Sequence, residues 1–261
     1  MYRMRIAMTI VALVAAAAPA AAQREDTFRW SGQLAAGKTL EVRGLNGDIA
    51  ARPSSSRTVE IVALKKGEDD DPRAVDVEVI EGADGIQVCA VYPGKRGARV
   101  STCGNSHDSD DIDDNDVVVD FTVSVPSGVA FDAGTINGGI DVSNLQADVR
   151  VRSVNGGIEV ASSGTVEAST VNGSIKASTG SPSWSGTLDF QTVNGSITLT
   201  LPAGASASVS AETVNGGFSS DFPLTVEAGS WGPKRVQGTI GSGGGRLNLE
   251  TVNGGIAIRK S

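Results

Sequence analysis

The stretch Thr192-Val193-Asn194-Gly195-Ser196-Ile197 recurs along this sequence of 261 residues. Lightly varied copies are centred on seven asparagines: Asn46, Asn137, Asn155, Asn172, Asn194, Asn215 and Asn253. A degenerate copy surrounds Gln237, and with it the spacings from Asn137 onward are 18, 17, 22, 21, 22 and 16 residues. A repeat of about 20 residues matches one coil of a solenoid, in which each unit buries its apolar face only against its neighbours. The repeat therefore predicts an all-β, single-stranded β-solenoid, similar to a β-helix.

The residues around each asparagine alternate between apolar and polar. With the asparagine as position 0, positions −6, −4, +3 and +5 are mostly apolar, as in Val149, Val151, Ile158 and Val160 around Asn155. Spacing by two indicates a strand with one buried face. Each unit is therefore predicted to be a strand, a corner and a second strand.

Two structures fit the corner. Asn-Gly between alternating strands is a strong β-hairpin signal, so a string of hairpins is the alternative to the solenoid. Position −1 is apolar in every copy, however, whereas −3 and −5 carry polar residues such as Arg152 and Arg150. A corner that shifts the phase of the strand would turn the residue at −1 inward, which favours the solenoid. We expect the following Gly to supply a positive φ and the stacked asparagines to form a ladder of amide hydrogen bonds.

The first 22 residues have the features of an export signal. Arg3 and Arg5 precede an apolar run from residue 6 to 18, and Ala20-Ala21-Ala22 provides small residues for cleavage before Gln23. The apolar run is too short to span a membrane. Without this segment the chain has 20 basic and 30 acidic residues, a net charge of −10, which argues against nucleic acid and anionic membranes as partners. An exported protein in the periplasm or at the cell surface is predicted.

The rest of the chain consists of a part with few repeats and a part with regular repeats. Residues 23–131 contain strands with few repeats and are predicted to form an N-terminal lead-in that caps the solenoid. Residues 132–261 carry the regular repeats. One continuous domain from 23 to 261 is the alternative.

Cys89 and Cys103 are the only two cysteines. Two cysteines of an exported protein are expected to form a disulfide, here closing a short loop. A metal site is the alternative, with His107 as the nearest further ligand.

An acidic run follows the second cysteine. Asp111, Asp113 and Asn115 match the first half of a calcium-binding EF-hand loop, but Asp116 and Thr122 stand where that loop has Gly and Glu. The run is predicted to be a solvated loop in which calcium matters little, and no cofactor is expected.

The sequence contains little that indicates catalysis. On an outer face, position −5 would align Asp132, Arg150, Glu167 and Asp189, which fits ordinary surface ion pairs better than a glycosidase-like carboxylate pair. His107 is the only histidine and has no triad partners. Trp184 and Trp231 could contact a ligand, although packing against the core is expected for Trp231. The protein is predicted not to be an enzyme.

The last repeat lies close to the final residue of the sequence. The coil of Asn253 is therefore expected to leave an exposed strand edge, which could support weak self-association. Arg259 and Lys260 could block such pairing.

The repeats, the export signal and the lead-in together resemble a bacterial family of unknown function named “putative adhesin”. The motifs in the lead-in are Val88-Cys89, Tyr92-Pro93, Cys103, Asp116-Val117 and Asp120-Phe121. This resemblance implies a β-solenoid in the cell envelope that binds an envelope or surface protein or a glycan, or serves as a structural module. Relatives are also linked to envelope-stress signalling, so a sensor domain that binds a protein partner is the alternative. A polysaccharide-active enzyme is a more distant one.

Overall fold

The computed structural model of the chain describes residues 24–103, 114–224, 226–227 and 234–261. These residues form 22 β-strands and two short 3₁₀ helices, Pro72–Ala74 and Lys95–Gly97. The predicted all-β class is therefore confirmed. Neither helix in the described ranges has the length and apolar character needed to cross a membrane.

The strands fall into an irregular N-terminal group and a regular group. The first group is β1 (Arg24–Gln33), β2 (Thr39–Arg43), β3 (Ile49–Pro53), β4 (Thr58–Gly67), β5 (Asp76–Glu81), β6 (Gly85–Pro93), β7 (Arg99–Ser101) and β8 (Val118–Val125). The second group begins with β9 (Ala130–Asn137), β10 (Ile140–Leu145), β11 (Val149–Asn155), β12 (Ile158–Ser162), β13 (Val166–Ser169), β14 (Ile175–Thr179), β15 (Thr187–Asn194) and β16 (Ile197–Leu201). It continues with β17 (Ala207–Asn215), β18 (Phe218–Ser220), β19 (Val226–Glu227), β20 (Lys234–Ile240), β21 (Arg246–Asn253) and β22 (Ile256–Lys260).

These strands build two large sheets. The first sheet has the order β19-β20-β17-β21-β15-β13-β11-β9-β2-β6-β5, with β7 paired to β6. The second sheet has the order β1-β4-β8-β3-β10-β12-β14-β16-β22-β18. Each regular repeat places one strand in the first sheet, turns at its Asn-Gly pair, and places the next strand in the second sheet. Neighbouring repeats pair in parallel, so the predicted β-solenoid is confirmed.

The apolar alternation read from the sequence forms the core. Side chains at −6 and −4 of the first-sheet strands and at +3 and +5 of the second-sheet strands belong to one buried cluster, except in β18, where Phe218 is only partly buried. Phe131 and Phe190 are its largest members from the first sheet of the regular coils, and Leu199 is fully buried from the second. The two facing sheets thus bury one side of the strands that build the regular coils.

The coils do not stack in chain order. The C-terminal coil, β21–β22, lies between the coil β15–β16 and the coil β17–β18. Strand β22 is therefore paired on both sides, and Ile256 and Ile258 are buried. The hypothesis of self-association through an exposed edge of this coil is wrong, because both edges of β22 are already occupied.

The degenerate copy around Gln237 is also not a coil. Strand β20 runs antiparallel to β17, and Gln237 pairs with Ser210. Strand β20 extends only the first sheet, because the chain does not pass from β20 into the second sheet. Gln237 consequently stands outside the column of asparagines.

The N-terminal strands surround the opposite end of the stack. The coil β2–β3, which contains Asn46, pairs in parallel with β9 and β10. Beyond it, β4 runs antiparallel to β8 and β1 runs antiparallel to β4. Buried Lys65 on β4 is held by Asp26 on β1, with its Nζ 2.6 Å from the carboxylate, and donates to the Val75 carbonyl at 2.9 Å. This ion pair joins three segments at that end.

Candidate functional site

The seven repeat asparagines form one continuous ladder along a corner of the solenoid. The Nδ2 of every ladder asparagine except Asn46 donates to the Oδ1 of the asparagine on a neighbouring coil, at 2.8 or 2.9 Å, which gives six bonds. The order along the stack is Asn46, Asn137, Asn155, Asn172, Asn194, Asn253 and Asn215. Except for Asn46 these side chains are exposed, so water can replace a lost partner.

The ladder yields a graded prediction for stability. Asn172→Ala removes two ladder bonds, one given to Asn155 and one accepted from Asn194. We expect it to lower the free energy of unfolding by about 1 kcal/mol. This is at the lower end of the cost of losing a hydrogen-bond partner, because water reaches the exposed site. Asn215→Ala removes one bond and should cost about half as much. Urea unfolding of both variants checks this, with Gln237→Ala, outside the ladder, as the control. Equal losses at all three positions, or no loss at Asn172, would exclude an energetic role for the ladder.

A second column of hydroxyl groups lies just inside this corner. Position −2 is Thr or Ser in every regular coil, and each hydroxyl donates to the carbonyl of a glycine in the neighbouring turn. The residues are Thr135, Ser153, Thr170, Thr192, Thr251 and Thr213, with distances between 2.8 and 3.1 Å. All six are buried. The sequence reasoning missed this column, although a Thr or Ser at the same place in six repeats was a readable signal.

The glycine after each asparagine serves close packing. Of the seven, only Gly47 has a positive φ, at 129°, so the expected conformational role is wrong for the other six. A Cβ on Gly156 would overlap the carbonyl group of Gly138 in the neighbouring turn, and the same holds along the stack. The turns stack so closely that only a hydrogen atom fits at this position.

Position −1 points outward, contrary to the phase argument. Val154, Val171, Val193, Val252 and Val214 are between 39% and 44% exposed. The alternation of the first-sheet strand continues without a shift, so it is the hydroxyl at −2 that faces inward. Leu45 differs, because it is half-buried and packs against the core.

These side chains form a contiguous apolar surface on the outer face of the first sheet. We name Ile136, Val154, Val171, Val193, Val252 and Val214, in stack order, the aliphatic ridge. Paired residues on neighbouring strands are in register, so the ridge residues repeat about every 4.8 Å and span about 24 Å. A continuous stripe of this kind differs from valines scattered singly over a surface.

The columns beside the ridge are polar, with charge distributed unevenly along the stack. At position −3 the order is Arg43, Gly134, Arg152, Ser169, Gln191, Glu250 and Glu212. Glu212 and Glu250, with Val171 and Val193, line a groove of about 480 Å³ along the ridge. Position −3 thus carries arginines towards one end of the stack and glutamates towards the other.

Most charges at position −5 are neutralised within the molecule. Arg150 Nη2 lies 2.8 Å from the Glu167 carboxylate, and Asp132 is 2.9 Å from Arg43 Nη2. Lys176 and Glu159 on the second sheet form a similar pair at 2.7 Å, and this contact raises the pKa of the lysine. The exposed Arg150–Glu167 and Lys176–Glu159 pairs correspond to the surface pairing expected from the sequence, whereas the Arg43–Asp132 pair is half-buried.

The remaining candidate residues lie elsewhere. Cys89 and Cys103 form the predicted disulfide. Trp184 is half-buried against the core, and its Nε1 donates to the Arg246 carbonyl at 3.0 Å. Packing therefore accounts for the position of Trp184, and a ligand contact there stays a prediction. Trp231 lies outside the described residues.

The partial calcium motif cannot be assembled from the described residues. Asp111 and Asp113, like His107, lie outside them, and Asn115 accepts a hydrogen bond from the Val117 amide. Asp116 accepts from the amides of Glu68, Asp69 and Asp70, which lowers its pKa. Across the described ranges no group of three His, Cys, Asp or Glu side chains is arranged to hold a metal ion.

Comparison with known proteins finds distant solved structures and one matching family model. A crystal structure from Clostridium sporogenes described as a putative cell adhesion protein is 10% identical, with a TM-score of 0.41, and the alignment covers 90% of this chain and 100% of that one. A putative adhesin from Bacteroides fragilis is 11% identical, with a TM-score of 0.37, over 90% of this chain and 97% of that one. No curated protein matches the sequence. Among protein-family models, that of the Toastrack DUF4097 family matches residues 37–259, and the chain therefore belongs to this family.

Proposed function

We propose that this protein is a non-enzymatic, exported β-solenoid that serves as an adhesin-like binding or structural module of the cell envelope. The aliphatic ridge is its contact surface. The observation that carries this proposal is the column of five valines, each about two-fifths exposed, on an otherwise polar sheet face. Leaving such a column in water is unfavourable unless another surface covers it.

Two features support export. Disulfides persist in oxidising compartments outside the cytoplasm, and Cys89 and Cys103 are joined. Residues 1–22, which lie outside the described ranges, have the composition of a cleaved leader. Both agree with a mature protein in the periplasm or at the cell surface.

The two largest pKa shifts occur away from the ridge. The pKa of Tyr92 is raised to about 12 by burial, and Arg73 holds the pKa of Asp71 at about 2. Neither group lies on the ridge or in its groove.

The proposal is tested by site-specific photo-crosslinking in the organism that makes the protein. Gln191 is exposed beside the ridge, on the outer face of the first sheet. Replacing it with a photo-reactive amino acid should give a defined adduct after illumination. The same replacement at Ser178, on the outer face of the second sheet, is the matched control and should give little. No adduct at Gln191, or equal adducts at both positions, would contradict the proposed contact surface.

A further inference from the structure

The composition of the aliphatic ridge is nearly symmetric about its middle. Val171 and Val193 occupy the two central positions, Val154 and Val252 flank them, and Ile136 and Val214 end the stripe. If a second copy of this face is turned over so that the coil order reverses, each residue meets an aliphatic residue of the other copy. The operation that does this is a two-fold axis parallel to the strands, between β13 and β15. Such an axis produces a closed contact between identical surfaces.

At position −3, Arg152 and Glu250 are complementary in charge under the same rotation. Arg152 lies one coil before the central pair and Glu250 one coil after it, both exposed and both at position −3. The rotation places Arg152 of each copy opposite Glu250 of the other, so the contact occurs twice. The two central residues of that column, Ser169 and Gln191, are uncharged and can face one another.

These two charged groups are also the ones with weak partners in the monomer. Arg152 Nη1 is 3.9 Å from the Asp132 carboxylate, which already has Arg43 at 2.9 Å. Glu250 accepts a hydrogen bond from Asn248, and no ion pair involves it in the described part of the chain. Glu212 at the acidic end differs, since Arg235 neutralises it at 2.7 Å.

We infer that the partner of the aliphatic ridge is a second copy of this chain, bound face to face with its coils in reversed order. The inference rests on the proposed function, in which the ridge is a contact surface, and names what occupies it. Apolar contact along the ridge supplies the attraction, and the two Arg152–Glu250 contacts set the register and direction. Because the stripe is narrow compared with stable dimer interfaces, the association should be reversible and concentration-dependent.

The test begins with sedimentation velocity of the purified protein over a wide concentration series. The wild-type chain should pass from monomer to dimer as concentration rises. Val171→Lys places an ammonium group next to the two-fold axis and should leave only monomer. Val171→Ser is a milder second variant, and Ser178→Lys on the outer face of the second sheet is the matched control, expected to dimerise normally. Circular dichroism and thermal melting establish that each variant is folded.

Charge reversal then tests the orientation. Arg152→Glu and Glu250→Arg each place like charges opposite one another twice, and each should raise the dimer dissociation constant about tenfold. The double variant recreates both attractive pairs and should return to within about threefold of the wild type. High salt should weaken the wild-type dimer, because the charged contacts are exposed.

A monomeric wild type at every concentration would overturn the inference, as would dimerisation that survives Val171→Lys. A double variant no better than the single ones would exclude the reversed arrangement. The two proposals can fail separately. A monomeric wild type whose Gln191 crosslinks to a different protein in cells refutes the second copy and leaves the contact surface standing. Absence of any crosslink at Gln191 removes the contact surface itself.

Discussion

Replacing Gly156 by alanine should lower the free energy of unfolding by about 3 kcal/mol, a large effect for one methyl group. The added Cβ would overlap the Gly138 carbonyl in the neighbouring turn. That turn cannot move away freely, because the Gly138 amide donates to the Asn155 carbonyl at 3.0 Å and Asn155 donates its side chain to Asn137. Relief of the overlap therefore requires separation of two coils. Differential scanning calorimetry should show a melting temperature lower by about 10 °C.

The adjacent residue is a matched control within the same turn. A Cβ on Gly157 would meet the Ser174 carbonyl at 3.6 Å, an ordinary van der Waals distance. The equivalent position is Ser174 or Ser196 in two other coils, so a side chain is tolerated there. Gly157→Ala should change stability by less than about 0.5 kcal/mol. Similar melting temperatures for the two variants would show that the turns can separate at low cost.

Removing the disulfide should cost about 3 kcal/mol on the loop-entropy model. Cys89 is fully buried on β6, and its Cα lies 5.4 Å from that of Cys103 across a separation of 14 residues. The bridge fastens the segment after β7 to β6, which itself pairs with the first coil of the stack through β2. The double variant Cys89→Ala, Cys103→Ala, measured by guanidinium unfolding, should show the loss.

Reductant provides the control for this second prediction. Treatment of the wild type should reproduce the loss of stability, whereas the double variant should not respond. Hydrogen exchange should locate the weakening in β5, β6 and β7 before the regular coils. Equal sensitivity of both proteins to reductant, or a double variant as stable as the wild type, would contradict a stabilising role for the bridge.

The Asn-Gly corner shows which features the sequence pattern predicted and which it did not. The Asn-Gly repeat predicted a solenoid of stacked turns, and identical turns in register necessarily place the asparagines above one another. The expected inward rotation of position −1 does not occur, because position −2 already occupies the inward side of the strand. Ser153 and its equivalents bury their hydroxyls there by donating to glycine carbonyls. Thr and Ser at position −2 are polar, so the apolar pattern did not indicate that they are buried. A hydrogen bond removes the cost of burying their hydroxyl groups.

The sequence alone determined the strand periodicity and the positions of the seven Asn-Gly turns, because both depend on contacts within a repeat or between equivalent positions of two repeats. The order of the stack was decided only by the tertiary structure. The edges of all coils offer nearly the same backbone hydrogen bonds and the same asparagine, so local pattern does not distinguish whether β22 ends the stack or enters between β16 and β18. Long-range packing and the connecting segments choose between these arrangements. That choice also places Glu250 three coils from Arg152 and therefore determines the charge pattern along the aliphatic ridge.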